Sequence, residues 1–267
     1  MAEGRSGSPL TRNEMTTTVD PFEIVRDWWG NRPVTSEAKR YGIDPSTKDG
    51  AFECVILGIL FAISDTGPEI GGTLNAMRTQ GMTSITTLAS LSNNPQIRKD
   101  LVDIWSTNYF GGRLPDKIDH METAAAGISH HLQGDVRSLY EHCNGNGEEM
   151  IRWLKSTGLG IKRFWLLREM RIGGVWNIAG SYCCVPDIQV RTSLDRWYKK
   201  EEKKSLRSKL ECSRIVWNYF GELYDYPVLK YARDFKCNQS ERQCAQCDIA
   251  QCKARSPAPI GPLMDDD

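Results

Sequence analysis

IRWLKSTGLGIKRFWLLREM, residues 151–170, contains two helices and the turn between them. Amphipathic spacing predicts one helix ending at Ser156 and a second starting near Ile161, with Lys162 in its first turn. Gly158-Leu159-Gly160 makes the connection tight. Two glycines one residue apart reach backbone conformations closed to other residues and keep side chains out of the way. Amides exposed at the start of the second helix can then take a phosphate oxygen. On these residues alone two readings stay open: a phosphate-holding hairpin, or a short helix–helix connection with nothing to bind.

The flanking sequence has the same helical character. Residues 21–29 carry Phe22, Ile24, Val25, Trp28 and Trp29, and residues 52–63 (FECVILGILFAI) are apolar all round, the mark of a helix buried on every side. Further amphipathic stretches predict helices near 71–78, 97–107, 115–132, 147–155, 162–171, 188–198, 203–223 and 227–234. No paired alternating strands with hairpin turns interrupt them, so the expected class is all-α. Residues 1–19 are rich in Gly, Ser, Thr and charge, and 256–267 are Pro-rich and then acidic, so both ends read as tails.

Composition limits the partners. With 34 basic and 34 acidic residues the 267-residue chain has no global positive field, and any nucleic-acid surface has to be local. Lys199, Lys200, Lys203, Lys204, Arg207 and Lys209 form the densest basic stretch, which reads equally as a solvated helix face. No apolar run is long enough to span a bilayer, so no membrane partner is expected. The N-terminus lacks the apolar core of a secretory signal, which points to a reducing, intracellular compartment, cytoplasmic (nucleoid) or nuclear.

Four of the nine cysteines, Cys237, Cys244, Cys247 and Cys252, fall within sixteen residues. Thiolates this close can converge on one soft centre. Cys244 and Cys247 form a short chelating pair, but the outer two stand singly, whereas a zinc site usually has two pairs. The spacing C-x6-C-x2-C-x4-C favours a [4Fe-4S] cluster, with zinc as the alternative, and disulfides are disfavoured in a reducing compartment. Cys183 and Cys184 are adjacent, poorly placed to chelate together, and read as packing residues. His120, His130, His131 and His142 have no ligand spacing with the cysteine cluster and read as surface or structural.

Gly158-Leu159-Gly160-Ile161-Lys162 resembles the G-x-G-x-K hairpin of the endonuclease III, or helix-hairpin-helix, superfamily of DNA glycosylases, in which the lysine is catalytic. VPDIQVRTSLDRW is similar to that family's second element and lays Asp187 on the catalytic aspartate, with Val190 and Arg191 following. YFGGRLPDKIDHMETAAAGISHHLQGDV is similar to its glycine turn and long helix, and the cysteine loop stands where iron-sulfur members carry theirs. The resemblance covers residues 52–252. The chain departs from the pattern in three places. Its last cysteine spacing is one residue shorter than usual. The 25 positions from Lys162 to Asp187 imply an insertion in RIGGVWNIAGSYCC. Where many members place a polar residue that fills the gap left by a flipped base, this chain has Ile63, Ser64 and Asp65.

The resemblance implies two helical domains with a DNA cleft between them. Residues 52–172 would form a six-helix barrel ending in the hairpin. Residues 20–51 plus 173–255 would form the second domain with the cluster loop. It implies a monomeric enzyme acting on damaged duplex DNA, with Lys162 as nucleophile and Asp187 stabilising positive charge on the sugar. Gly158, Gly160, Ser64, Lys236 and Arg242, with Lys253, would face DNA. The attacking amine must be neutral, which desolvation or a neighbouring cation such as Arg163 or Arg168 would favour. One of Trp153, Phe164, Trp165 and Trp176 is expected to line the base pocket. Two alternatives remain: a monofunctional glycosylase in which Asp187 activates water, and a non-catalytic DNA-binding module. Taken singly, Lys162 reads as a solvated residue and Asp187 as a plain helix N-cap.

Overall fold

The computed structural model describes residues 19–61, 67–108, 114–197, 208–237, 244–249 and 252. Ser64 and Arg242 lie outside them, as do Ile63, Asp65, Lys199, Lys200, Lys203, Lys204, Arg207, Lys253 and, except for Val19, both tails. Among the described residues the structure is helical, without strands. No helix there is long and apolar enough to cross a membrane.

Helix α1 (Pro21–Trp29) starts at Asp20, whose side chain accepts from Phe22 N at 2.9 Å, with Pro21 in the first helical position. The four-residue α2 (Glu37–Arg40) follows Ser36. Next come α3 (Lys48–Phe61), α4 (Gly67–Thr79) and the short α5 (Ile85–Leu88). Helix α3 is the central rod. Ala51, Cys54, Ile56, Leu57 and Leu60 are all 0% exposed, as an all-round apolar sequence requires. Glu53, the acidic residue within that run, is half-buried and paired with Arg78 of α4 at 2.6 Å.

Helices α6 (Pro95–Asn108) and α7 (Leu114–His131) pack beside α4, α5 and α3, and α8 (Leu139–His142) leads into α9 (Gly147–Ser156). Between α9 and α10 (Lys162–Ile172) the chain turns tightly. Gly158 has φ +84°, a left-handed conformation that closes α9 by letting Leu159 N donate to Leu154 O at 3.2 Å. Leu159 is 2% exposed and pins the turn into the core. Helix α10 lies against α3, where Gly58 gives room for Trp165, Leu159 and Lys162.

Residues 173–187 run as a loop with one 3-10 turn at Gly180–Tyr182. Trp217 lies so close to Gly180 that a Cβ there would meet its ring at 2.0 Å, which fixes the loop against α12 (Lys209–Phe220). Helix α11 (Ile188–Trp197) then packs on α13 (Tyr226–Asp234), and α13 on α1. Phe22 of α1 stacks on Tyr219 at 3.8 Å between centroids, and Trp28 meets Tyr231 at 5.1 Å. The N-terminal helix is therefore held by the C-terminal ones.

The helix expected over 203–223 differs. Its first residues, 203–207, lie outside the described set, and Ser208 is extended, its hydroxyl accepting from Glu211 N at 3.0 Å. Ser208-x-x-Glu211 is a capping-box sequence, so α12 starts there and ends at Gly221, φ +54°.

Candidate functional site

Asp187 and Lys162 line the same cleft, of about 200 Å³. Glu37, Arg40, Tyr41 and Phe61 contribute from the N-terminal side, Trp165 and Arg168 from α10, and Asp225, Leu229 and Arg233 from around α13. The 25 positions between lysine and aspartate are spanned by α10 and the loop pinned at Gly180. Lys162 is half-buried in the first turn of α10, its Nζ 5.8 Å from the centre of the Phe61 ring. Asp187 caps α11: Oδ1 accepts from Val190 N at 2.9 Å, leaving Oδ2 uncommitted to the cap.

Burial pushes the Asp187 carboxyl up from its ordinary value. The Val190 amide holds it down, Asp225 pushes it up, and Lys162 and Arg233 pull it down, with burial and Asp225 prevailing. A proton binds more readily here than on a free aspartate, and the cap fixes where the charge sits.

Asp225 belongs to a buried network that the sequence did not disclose. It is 1% exposed, and its Oδ1 accepts from Arg168 Nη1 and from Val185 N, each at 2.9 Å. Arg168, 2% exposed, also reaches Glu37 Oε2 at 2.9 Å and Glu169 Oε1 at 3.4 Å, and lies 4.2 Å from the Tyr226 ring centre. The charge of Arg168 is thus met by carboxylates. Arg163 is turned to the hairpin, its Nη1 donating to Gly160 O at 2.6 Å and its guanidinium lying over Phe164.

Removing one member of a buried ion pair costs about 3–5 kcal/mol when the partner charge is left alone. Arg168 would keep Glu37 and Glu169, so Asp225→Ala is expected to lower unfolding stability by about 2–3 kcal/mol. Urea unfolding at neutral pH measures it. A loss under about 0.5 kcal/mol, the size of an ordinary surface change, would mean that Asp225 is not structural.

Of the four candidate aromatics, Trp165 lines the cleft. Phe164 and Trp176 are core residues, Trp176 donating its indole N–H to Arg137 O at 2.9 Å, and Trp153 is half-buried beside His142. Tyr41 and Phe61 are cleft residues outside the sequence motifs; Phe61 ends the apolar run of α3, a signal that was available.

In the hairpin turn, a Cβ on Gly160 would meet nothing within 4 Å. Neither crowding nor a positive φ demands glycine there, and its backbone is open to an approaching group. Lys236 lies in the turn after α13, half-buried with φ +49°, next to Cys237.

Cys237, Cys244, Cys247 and Cys252 line one small apolar cavity together with Arg196, Trp197 and Phe235. Burial pushes the Cys237 thiol up to about 12, and Cys247, Cys252 and Cys244 act in the same direction, as neighbouring sulfurs do. Tyr231 Oη lies 3.3 Å from Cys247 Sγ. Among the described residues no three His, Cys, Asp or Glu side chains stand close enough together to hold a single metal ion. What the four thiols share is a small cavity whose lining is almost wholly apolar. Cys183 and Cys184 are packed in the core, 0% and 1% exposed, and burial pushes both thiols up from their ordinary value.

No family model, curated protein or solved structure matches the chain. Function is therefore inferred from the chemistry of the cleft and of the cysteine cavity.

Proposed function

We propose that the protein is a DNA repair glycosylase with lyase activity, which flips a damaged or mismatched base from duplex DNA into the cleft and cleaves its N-glycosidic bond. One observation carries the proposal: Lys162 and Asp187, the two residues matched to the family's catalytic pair, line one cleft that also holds Tyr41, Phe61 and Trp165. The two-domain helix-hairpin-helix arrangement belongs to the same proposal.

A base within the duplex is out of reach, so the nucleotide rotates outward and the pocket walls replace its stacking neighbours. The Lys162 amine attacks C1′ of the sugar. The bond from C1′ to the base nitrogen breaks, and the base leaves with a proton. Asp187, fixed by its cap, stabilises the positive charge that develops on the sugar and takes up the amine proton. Ring opening gives an imine between Nζ and C1′. Loss of a C2′ proton then expels the 3′ phosphate and nicks the strand. Gly158 and Gly160 would bring the backbone against a phosphate of the same strand, which the open face of Gly160 supports.

The test is borohydride trapping. Incubation with a duplex carrying an abasic site or a base lesion, followed by borohydride, should leave a covalent protein–DNA adduct. Base release without an adduct would make the enzyme monofunctional, and tight, salt-sensitive binding with neither would make it a DNA-binding module.

The cysteine cavity is proposed to hold a [4Fe-4S] cluster with Cys237, Cys244, Cys247 and Cys252 as ligands. The four cysteines line one small apolar cavity, and their spacing C-x6-C-x2-C-x4-C, with the outer two standing singly rather than in a second pair, favours a cluster over zinc. Such a cluster stays outside the cleft and takes no part in base removal; it would order the loop that carries Lys236 and Arg242 towards DNA. The protein as purified is expected to be brown, with about four iron and four sulfide per chain. Colourless protein with about one zinc per chain would assign the alternative.

A further inference from the structure

Glu37 has no part in the chemistry assigned to Lys162 and Asp187, yet it is tightly held. The backbone on either side of it is clamped by buried Glu169 of α10, whose Oε2 accepts from Ser36 Oγ at 2.6 Å and from Ala38 N at 3.0 Å. Its own Oε2 accepts from Trp165 Nε1 at 2.5 Å and from Arg168 Nη2 at 2.9 Å. Both donors take the same oxygen, which leaves Oε1 for the cleft, where the Glu37 side chain is 25% exposed. Neutralising Arg168 does not require Glu37, because Asp225 already meets that guanidinium at 2.9 Å in a fully buried pair. The cleft therefore holds an acceptor fixed at one oxygen, with the other turned to the space beside Lys162 and Asp187.

Lys162, Trp165 and Arg168 follow at intervals of three on one side of α10. At 1.5 Å of rise per residue, the two residues holding Glu37 stand about 4.5 and 9 Å along the helix from the lysine. That interval brackets the reach from a sugar C1′ across one six-membered ring to a hydrogen-bond partner on its far edge. Tyr41, Phe61 and Trp165 supply flat walls for such a ring. The volume of about 200 Å³ is below the range of roughly 300–1,000 Å³ for pockets that take larger ligands.

We infer that Glu37 is the specificity-determining residue: it reads the far edge of the flipped base and selects a single-ring base with a ring N–H there. Uracil- and thymine-type bases have that N–H, whereas cytosine-type bases present a nitrogen lone pair in its place. A carboxylate can only accept. An N–H completes its hydrogen bond, whereas a lone pair faces a fixed negative charge in the space that water has left, and sites built on such a bond reject the mismatched analogue strongly. This inference rests on the glycosylase reading of the same cleft.

Glu37→Gln gives the sharpest test. Trp165 and Arg168 are both donors, so they will hold the amide oxygen and turn its NH2 group to the base, replacing the acceptor by a donor with the packing kept. Single-turnover base release is measured on duplexes carrying uracil, cytosine, 5-hydroxyuracil or 5-hydroxycytosine; the last two are one lesion with and without the N3–H. The unsubstituted protein should release the uracil-type member of at least one pair about 10-fold faster or more, and Glu37→Gln should lower or reverse that ratio by about 10- to 100-fold. Equal rates within both pairs, an unchanged ratio in Glu37→Gln, or an abasic-site adduct without release from any of the four overturns the assignment of Glu37 alone. Failure of the glycosylase reading looks different, with neither adduct nor base release, and the inference falls with it.

Discussion

Lys162→Gln is expected to abolish the borohydride-trapped adduct on abasic duplex, leaving no covalent protein–DNA species where the unsubstituted protein gives one. An imine needs a primary amine at the reacting position, and an amide nitrogen, its lone pair delocalised into the carbonyl, does not supply one. Gln keeps most of the stem that packs beside Phe61 and Gly58, and a first-turn position tolerates it. Stability should therefore move by no more than about 0.5 kcal/mol, so the loss cannot come from unfolding. Binding to the duplex should weaken modestly, since one cation in the cleft is gone while the hairpin backbone is unchanged. A full-strength adduct in Lys162→Gln would show that another amine attacks C1′, and Lys162 would lose its role as nucleophile. Loss of adduct with base release kept would divide the two functions, leaving Asp187 to activate water.

Much of the fold was legible because the signals are local. The apolar run at 52–63 could only be a helix surrounded by core, and α3 has ten consecutive positions, Ala51 to Leu60, of which all but Glu53 are buried. The hairpin was legible for the same reason, since a glycine near the end of a periodic segment predicts a left-handed closure, and Gly158 makes it. The second half of the site was not. Glu37 sits on a helix of four residues, too short for any periodicity to show, and Asp225 lies in a turn between two helices with no motif around it. Both come to the cleft through α10, where Trp165 meets Glu37 across 128 positions, Arg168 meets Glu37 across 131 and Asp225 across 57, and Glu169 meets Ser36 across 133. An arginine and a glutamate side by side in the otherwise apolar stretch FWLLREM were the available clue, because buried charges require buried partners. The clue gives the need for partners but not their identity, which tertiary contacts decide.

The second large effect is expected at Asp187. Asp187→Asn should slow base release by about 100- to 10,000-fold, the span covered by a positioned acid–base group, while the adduct on a preformed abasic site falls less because the base has already left. Asn caps a helix as well as Asp does, so the bond to Val190 N survives and the plain-cap reading predicts no change in rate. The two roles separate further with pH. Burial and Asp225 raise the folded-state pKa of Asp187 above its unfolded value. The native state therefore binds the proton more tightly than the unfolded chain, and stability from this group falls as pH rises through the window between those two values. At neutral pH the ionised carboxylate weakens the fold slightly, so Asp187→Asn should leave unfolding stability unchanged or marginally higher. Base release runs the opposite way, since it needs the ionised form. Its rate should fall as pH drops through the raised folded pKa, giving an acid limb above the ordinary aspartate range that disappears in Asp187→Asn. A carboxylate kept where it costs stability, yet whose charge the reaction needs, is what separates a catalytic aspartate from a cap. An acid limb that persists in the variant would assign that titration to another group and reduce Asp187 to its structural role.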